Sequence, residues 1–273
     1  GSPREGSPCL KPTPRALQSG SVEPDTLRIL LEDDDLVVVH KPSGMSSHRG
    51  WTREGPVALQ STRDLVGQHL FLAHRLDRST SGVLVFTKSR DTVRRVCDAF
   101  EAGHALKRYL GVCRGRLEED DLLLEHPVPG SEDGPRVPAS TWIRCLEQPA
   151  HERCSLFEAM PITGRLHQIR RHLKHLSHPI VGDVRYGDGR INRHYRSAHH
   201  FRRLALHAWS IEFPHPRTAA RVRVVAPVPR DLALLLAAMD CPEERYSTQR
   251  PWPTATEDRR SRCLPLPDRS RAP

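Results

Sequence analysis

One segment of the chain reads HRLDRSTSG over residues 74–82 and continues as VLVF over residues 83–86. Arg75 and Arg78 flank Asp77, and they should keep it charged because a nearby opposite charge favours the ionised form of a carboxylate. Gly82 ends the turn TSG at residues 80–82, and because glycine tolerates backbone dihedrals that other residues avoid, it permits a sharp bend before the apolar strand begins. An ionised aspartate on a loop beside a buried strand is well placed for chemistry. The segment therefore predicts a functional site around Asp77.

A simpler interpretation is that Asp77 forms a surface ion pair that caps the strand. Such pairs are common where an aspartate lies between two arginines, and they contribute little to stability. This interpretation also has to account for the motifs in the rest of the chain.

Apolar and β-branched runs dominate the middle of the sequence. They predict strands over residues 27–31, 36–40, 83–87, 109–112, 141–145, 155–162, 204–213 and 222–225. Helical spacing of apolar residues predicts helices over residues 91–102, 164–176 and 229–239. Many strands with a few separated helices, in no strict alternation, favour an α+β fold.

Positive charge is concentrated in one part of the chain. The 273 residues carry a formal net charge of +9, and residues 161–203 contain ten Lys or Arg against two Asp. A concentrated basic segment is typical of a protein that follows a phosphate backbone, although a solvated helix face is the alternative. The residues predicted to contact such a backbone are Arg170, Arg171, Lys174, Arg190 and Arg193.

The cysteines and histidines do not predict a metal site. Seven cysteines are scattered without a C-x-x-C pair, which argues against a disulfide framework or a zinc ribbon. His172, His175 and His178 recur at a spacing of three, but Arg171 and Lys174 lie among them and would repel a cation.

No apolar stretch is long enough to span a membrane, and no hydrophobic signal region is present at the amino end. We therefore expect a reducing, cytoplasmic setting and no membrane partner.

Three further motifs accompany the Asp77 segment. They are KPSG at residues 41–44 with His48, KRY at 107–109 with Gly115, and GRLHQIR at 164–170 with His172. In this order, the four motifs resemble those of the RluA-type pseudouridine synthases, in which the active-site motif is HRLDxxTSG. HPIVGD at 178–183, GDGR at 187–190 and residues 204–216 resemble the subgroup called tRNA pseudouridine synthase C. The resemblance covers about residues 27–240.

The resemblance implies a pseudouridine synthase fold, in which a mixed, mainly antiparallel sheet with flanking helices is split by a central active-site cleft. It places the catalytic domain at residues 26–240, with no appended S4 domain ahead of it. Residues 1–25 and the Pro/Arg-rich residues 241–273 are predicted to be disordered and flexible. An arginine-containing tail that adds RNA affinity is the alternative for the second of these segments.

Isomerisation of uridine to pseudouridine requires a group that stabilises or attacks an electron-poor sugar, and a carboxylate suits both roles. Asp77 is the candidate, and by resemblance it is the family's catalytic aspartate. Because a buried carboxylate needs a fixed cation, Arg165 is predicted to pair with it, as the arginine of the family's G-R-x-H-Q-I-R motif does. A phosphate contact or a surface position is the alternative for Arg165.

The resemblance assigns roles to three more residues. Tyr109 matches the tyrosine whose ring stacks on uracil and whose hydroxyl acts in proton transfer. Arg75 matches the arginine that enters the RNA helix in place of the flipped base, although it could instead only neutralise Asp77. Leu206 matches the residue that packs on the flipped ring, but taken alone it is a buried strand position. His74, His167 and Gln168 are expected to be hydrogen-bonded scaffolding.

These features predict a cofactor-independent isomerase that acts on tRNA, at uridine 65 of the T-stem by subgroup resemblance. A monomer is expected, and no protein partner is implied. The alternatives are a synthase directed to ribosomal RNA, a catalytically silent RNA-binding or chaperone protein with the same fold, and a hydrolase that uses Asp77 as its nucleophile.

Overall fold

The computed structural model describes residues 25–50, 55–117 and 121–247. The predictions of flexible ends for residues 1–24 and 248–273 lie outside these described residues.

The elements follow one another along the chain without a strict α/β alternation. The first half contains β1 (Arg28–Glu32), β2 (Leu36–Lys41), α1 (Ala58–Val66), β3 (Phe71–Leu72), β4 (Ser81–Thr87), α2 (Arg90–Glu101) and β5 (Leu106–Arg114). Next come β6 (Asp121–Glu125), β7 (Val128–Pro129), β8 (Arg136–Val137), β9 (Ser140–Glu147), β10 (Cys154–Pro161), α3 (Gln168–His175) and α4 (Gly189–Ala198). The last are β11 (Leu206–Pro214), β12 (Arg221–Val225), α5 (Arg230–Ala238) and α6 (Glu244–Ser247).

The described strands form one large mixed sheet. Its order is β1-β2-β4-β11-β5-β10-β9-β6, with β12 beside β11 and β3 beside β4. Strands β4 and β11 run parallel over two residue pairs, and the other pairings in this sheet are antiparallel. The predicted α+β class and mainly antiparallel sheet are therefore confirmed.

Both faces of the β2–β4 region are covered, which explains why these strands are apolar without alternation. On one face Val38 and Val85 pack with Val96 of α2. On the other face Val39 and Leu84 pack in the same cluster as Ala58 of α1. The larger core lies on the β5–β10–β9 side and includes residues of α3, α4 and α5.

Gly82 lies where β4 meets β11. Its φ is +118°, and a Cβ atom there would lie 2.1 Å from the carbonyl oxygen of Ala208. Only glycine permits this conformation and this close approach. Gly82 is therefore needed where β4 runs beside β11.

The predicted boundary at residue 240 is too early. Cys241 and Tyr246 are buried in the larger core, and Arg245 Nε lies 2.9 Å from Glu147 Oε2 of β9. Residues 241–247 thus pack on the preceding part of the chain. Within the described ranges, no helix has the length and apolar character needed to cross a bilayer.

Candidate active site

The loop between β3 and β4 carries Asp77 and is fixed by the segment after β2. Ser47 Oγ donates to the Leu76 carbonyl at 2.8 Å and accepts from the Leu76 N–H at 3.0 Å. The Gly44 N–H donates to the Arg78 carbonyl at 2.8 Å, and Arg78 Nε donates to the Gly44 carbonyl at 2.8 Å. Gly44 of the KPSG motif and Ser47 just after it therefore support the Asp77 loop on either side of the aspartate.

Lys41, at the end of β2, is fully buried and binds the same loop. Its Nζ donates to the carbonyls of Met45 at 2.8 Å, Pro42 at 3.0 Å and Arg78 at 3.4 Å. Burial lowers the pKa of Lys41 to about 7, and the charge of Asp77 opposes this change. The three carbonyl acceptors also favour the ammonium form, which can donate to all of them.

Replacing Lys41 with methionine should destabilise the protein by about 3 kcal/mol, since three carbonyls lose a donor at about 1 kcal/mol each. Urea unfolding monitored by circular dichroism measures this change. Lys174→Met, at an exposed position, is the matched control and should unfold as the wild type does. Equal unfolding midpoints for both variants would show that Lys41 does not hold the loop.

Asp77 pairs with Arg170, which comes from α3. Arg170 Nη1 donates to Asp77 Oδ2 at 2.8 Å, and its other side donates to Asp183 through Nε at 2.8 Å and Nη2 at 3.0 Å. Burial opposes the charge on Arg170, but its bonds and attraction to Asp183 and Asp77 raise its pKa overall. Arg170 is therefore a permanent cation held between two carboxylates.

Asp183 orients Arg170 from behind. Its carboxylate is 1% exposed and accepts the N–H groups of Arg185 at 2.9 Å and Tyr186 at 3.0 Å. Burial alone would raise the pKa of Asp183. The hydrogen bonds from Arg170 and Tyr186 lower it by more than burial raises it, so the net shift is downward. Because Asp183 binds Nε and Nη2 of Arg170, Nη1 is left to donate to Asp77.

The prediction that Arg165 pairs with Asp77 is wrong in its choice of arginine. Arg165 is exposed, and its Nε donates to the Pro138 carbonyl at 3.3 Å. The cause is local: His167 has a φ of +53°, and α3 begins only at Gln168. Arg165 thus lies in the turn before the helix, whereas Arg170 lies inside it. Arg165 and Asp77 nevertheless line the same cavity.

The prediction that Arg170 contacts the RNA backbone is also wrong. The residue is 6% exposed and is engaged by two carboxylates. Arg171 is half-buried, with Nε donating to Tyr186 Oη at 2.9 Å and Nη1 donating to the Pro129 carbonyl at 2.9 Å. Lys174, Arg190 and Arg193 are exposed, as backbone contacts require.

His167 and Tyr186 complete the surroundings of the aspartate. His167 Nε2 lies 3.7 Å from Asp77 Oδ1, and its Nδ1 lies 3.0 Å from Tyr186 Oη. Burial lowers the pKa of His167, although the charge of Asp77 acts in the opposite direction. The Arg170 guanidinium stacks on the Tyr186 ring, with its Cζ 5.1 Å from the ring centroid. Burial thus favours the neutral form of His167 beside the Asp77–Arg170 pair.

A cavity of about 550 Å³ opens at Asp77. Tyr109 of β5 and Leu206 of β11 both line it, and Leu206 is 3% exposed. Burial and then the charge of Asp77 raise the pKa of Tyr109, so its side chain is a neutral phenol at neutral pH. The cavity thus combines one carboxylate, one aromatic hydroxyl and an apolar wall.

Arg75 lies at the entrance to this cavity. It is exposed and lines the cavity wall. Its side chain makes no hydrogen bond or ion pair with any described residue. The pairing of Asp77 with Arg170 leaves the Arg75 guanidinium available to a ligand.

His74 and Gln168 are engaged in the framework. His74 Nε2 accepts the Val85 N–H at 3.2 Å, and burial lowers the pKa of His74 to about 3. Gln168 donates to Thr141 Oγ1 at 2.8 Å and accepts the Arg165 N–H at 3.0 Å.

The three histidines spaced three residues apart each have a different partner and do not converge on one point. His172 lies 2.9 Å from Thr141 Oγ1, His175 stacks on His126 with centroids 3.6 Å apart, and His178 Nδ1 lies 2.8 Å from the Arg114 carbonyl.

The sequence interpretation missed Asp183 and Tyr186 as members of the site. The sequence held one indication of Asp183, because this aspartate directly follows Gly182 at the end of HPIVGD, residues 178–183, and glycine permits a sharp turn. Gly182 has a φ of +76°, and a Cβ atom there would lie 1.8 Å from the Arg203 carbonyl oxygen. The glycine thus turns the chain so that Asp183 points at Arg170.

The chain has many relatives of known type. Residues 35–175 match the family model described as RNA pseudouridylate synthase. The tRNA pseudouridine synthase C of Salmonella typhimurium is 44% identical over 215 residues, covering 70% of this chain and 82% of that protein. The protein of the same name from Pasteurella multocida is 36% identical over 236 residues, covering 79% of this chain and 97% of that protein.

Solved structures share the fold. Human RNA Pseudouridylate Synthase Domain Containing 1 superposes with a TM-score of 0.63 at 25% identity, covering 82% of this chain and 97% of that one. Human RNA Pseudouridylate Synthase Domain Containing 4 gives the same TM-score at 24% identity, covering 77% of this chain and 92% of that one. Sequence, fold and motifs agree that the chain belongs to the RNA pseudouridylate synthase family, of the RluA type, and is an isomerase.

Proposed function

We propose that this protein converts uridine 65 in the T-stem of tRNA to pseudouridine, with Asp77 as the catalytic carboxylate. The observation that carries the proposal is the Asp77–Arg170 contact of 2.8 Å at the wall of a cavity that Tyr109 and Leu206 also line. The tRNA substrate is supported by the relatives named tRNA pseudouridine synthase C.

The reaction is an isomerisation in which no atom is gained or lost. The bond from ribose C1′ to uracil N1 breaks, the base turns, and C1′ joins C5. The proton on C5 leaves, and N1 gains one. Asp77 is positioned to attack or stabilise the electron-poor sugar, as carboxylates do in glycoside cleavage. Arg170 keeps Asp77 anionic and fixes its direction, because a guanidinium binds carboxylates with permanent charge.

The base must first leave the RNA helix, at a cost of a few kcal/mol. Arg75 is exposed at the cavity entrance and is the candidate to occupy the gap by stacking between the neighbouring bases. Leu206 offers an apolar surface to the flipped ring.

Tyr109→Phe should lower the single-turnover rate by about 10²-fold, since it removes the only hydroxyl of that ring while keeping its stacking face. RNA affinity should stay close to that of the wild type. Rapid-quench measurement of pseudouridine formation, with filter binding alongside, tests both statements. A wild-type rate would remove the Tyr109 hydroxyl from proton transfer.

Arg190 and Arg193 are proposed to contact phosphates. Replacing either with glutamine should reduce the slope of log affinity against log salt concentration by about one. Arg28→Gln, at an exposed position on β1, is the control and should leave the slope unchanged. If the arginine variants keep the wild-type slope, this face of α4 does not bind the RNA backbone.

The target is tested by incubating the protein with unmodified tRNA and, separately, with ribosomal RNA, and then mapping pseudouridine. We expect one new pseudouridine at position 65 of tRNA. A tRNA with cytidine at this position should give no product. Modification of ribosomal RNA alone would overturn the tRNA assignment while retaining the chemistry. No product in either RNA would favour a silent RNA-binding protein.

A further inference from the structure

A second cluster of ligating side chains lies away from the cavity, at the end of α4. His199 Nε2 is 3.0 Å from Glu152 Oε1, and His194 Nε2 is 3.6 Å from the same oxygen. The three potential ligand atoms all lie within 4.8 Å of one another. None of these residues lines the active-site cavity.

We infer that Glu152, His194 and His199 form a binding site for a divalent transition metal ion of the zinc class. Zinc binds histidine nitrogens and carboxylate oxygens at about 2.0–2.2 Å in tetrahedral geometry, so neighbouring ligand atoms should be about 3.4 Å apart. The two nitrogen–oxygen distances lie on either side of this value. The cluster therefore needs little rearrangement to take an ion.

The two histidines are well positioned by the helix. His199 is the C-cap of α4, and its N–H donates to the Tyr195 carbonyl at 3.2 Å. The His199 ring also packs against Tyr195, which is 3% exposed, with centroids 5.4 Å apart. Core packing thus fixes the direction of His199. His194, whose side chain is 52% exposed, leaves a path for the ion from solvent.

Glu152 comes from the β9–β10 hairpin, so an ion would connect that hairpin to α4. Its side chain is 22% exposed, which leaves it less hydrated than a free surface carboxylate. The neighbouring Arg153 and Arg196 are exposed, so solvent and salt screen their repulsion of a cation. Three protein ligands and an open fourth position match the zinc sites that retain a water molecule.

A comparable group at Asp33, Asp35 and His215 is a poorer candidate. Arg217 Nε lies 2.7 Å from Asp35 Oδ2 and would compete directly with a cation. The structure gives no such competitor at Glu152 among the described residues.

The test is calorimetric titration of the full chain with Zn²⁺ at neutral pH, after treatment with a chelator and its removal. We expect one ion per chain with wild-type protein. At a hundredfold excess of Zn²⁺ over the dissociation constant, the midpoint of thermal unfolding should rise by about 5 °C. Titration with Co²⁺ should give the visible absorption of a tetrahedral nitrogen and oxygen site.

His194→Gln should weaken Zn²⁺ binding at least about tenfold and abolish the thermal shift. Its exposure makes loss of folding a minor concern, which circular dichroism checks. His151→Gln is the matched control, because His151 is exposed and adjacent to Glu152 but outside the cluster. Absence of binding by the wild type, equal binding by His194→Gln, or equal loss in His151→Gln would each overturn the assignment.

Discussion

Asp77→Asn should reduce the rate of pseudouridine formation by more than about 10³-fold. The amide lacks the negative charge with which the carboxylate would attack or stabilise the sugar. The amide has nearly the same shape as the carboxylate, and Arg170 keeps both of its bonds to Asp183. The fold and the affinity for RNA should therefore stay close to those of the wild type. Single-turnover assays at saturating RNA, with filter binding and thermal unfolding, measure the three quantities separately.

The control for Asp77→Asn is Asp64→Asn, at an exposed position of α1. It should not change the rate. A wild-type rate in Asp77→Asn, with or without a loss of RNA binding, would contradict the role given to Asp77.

Arg170→Lys should lower the rate by about 10²-fold, because a lysine cannot hold Asp183 with two bonds and reach Asp77 at the same time. Displacement of Asp77 from its position against the sugar costs rate even when its charge is kept. The protein should also lose about 2 kcal/mol of stability, since a charge-assisted bond to the buried Asp183 is lost. Urea unfolding checks the second effect, and single-turnover kinetics check the first.

The loss of rate and the loss of stability caused by Arg170→Lys can be separated by the choice of assay temperature. At a temperature where both proteins are fully folded, the loss of rate should persist, because it arises from the position of Asp77. Recovery of the wild-type rate under these conditions would show that Arg170 contributes only to folding.

Local signals in the sequence were sufficient for most of the sheet. The runs at residues 37–39 and 83–86 are apolar without interruption. An amphipathic surface helix would instead alternate apolar and polar residues with a period near 3.6. Helix α2 was predictable because Ser89 caps it and accepts the Thr92 N–H at 3.0 Å. These features depend on neighbours in sequence, which is the information that a single chain provides.

Helix α4 was not predictable by apolar spacing. Of its residues only Asn192 and Tyr195 are buried, so its pattern is almost entirely polar. The available signal was Asp188, which caps the helix by accepting the N–H groups of Arg190 at 2.7 Å and Ile191 at 3.3 Å. A cap without an apolar stripe is weak evidence for a helix.

The sequence identified the aspartate of the site but not its partner. GRLHQIR contains two arginines, and their order does not show which one enters the core. That choice depends on His167, whose φ of +53° starts the helix late. A positive φ is uncommon for residues other than glycine, so nothing in the sequence indicated it at this position. Asp183, which holds Arg170, is also remote from Asp77 in sequence, and tertiary packing brings the three together.

The most direct measurement compares Arg170→Lys with Arg165→Lys on the same tRNA, by single-turnover kinetics at saturating enzyme. Both variants keep the charge, and both positions line the same cavity. If Arg170 positions Asp77, the rate of Arg170→Lys should be at least about tenfold below that of Arg165→Lys. A severe loss in Arg165→Lys beside a near wild-type rate in Arg170→Lys would contradict the account.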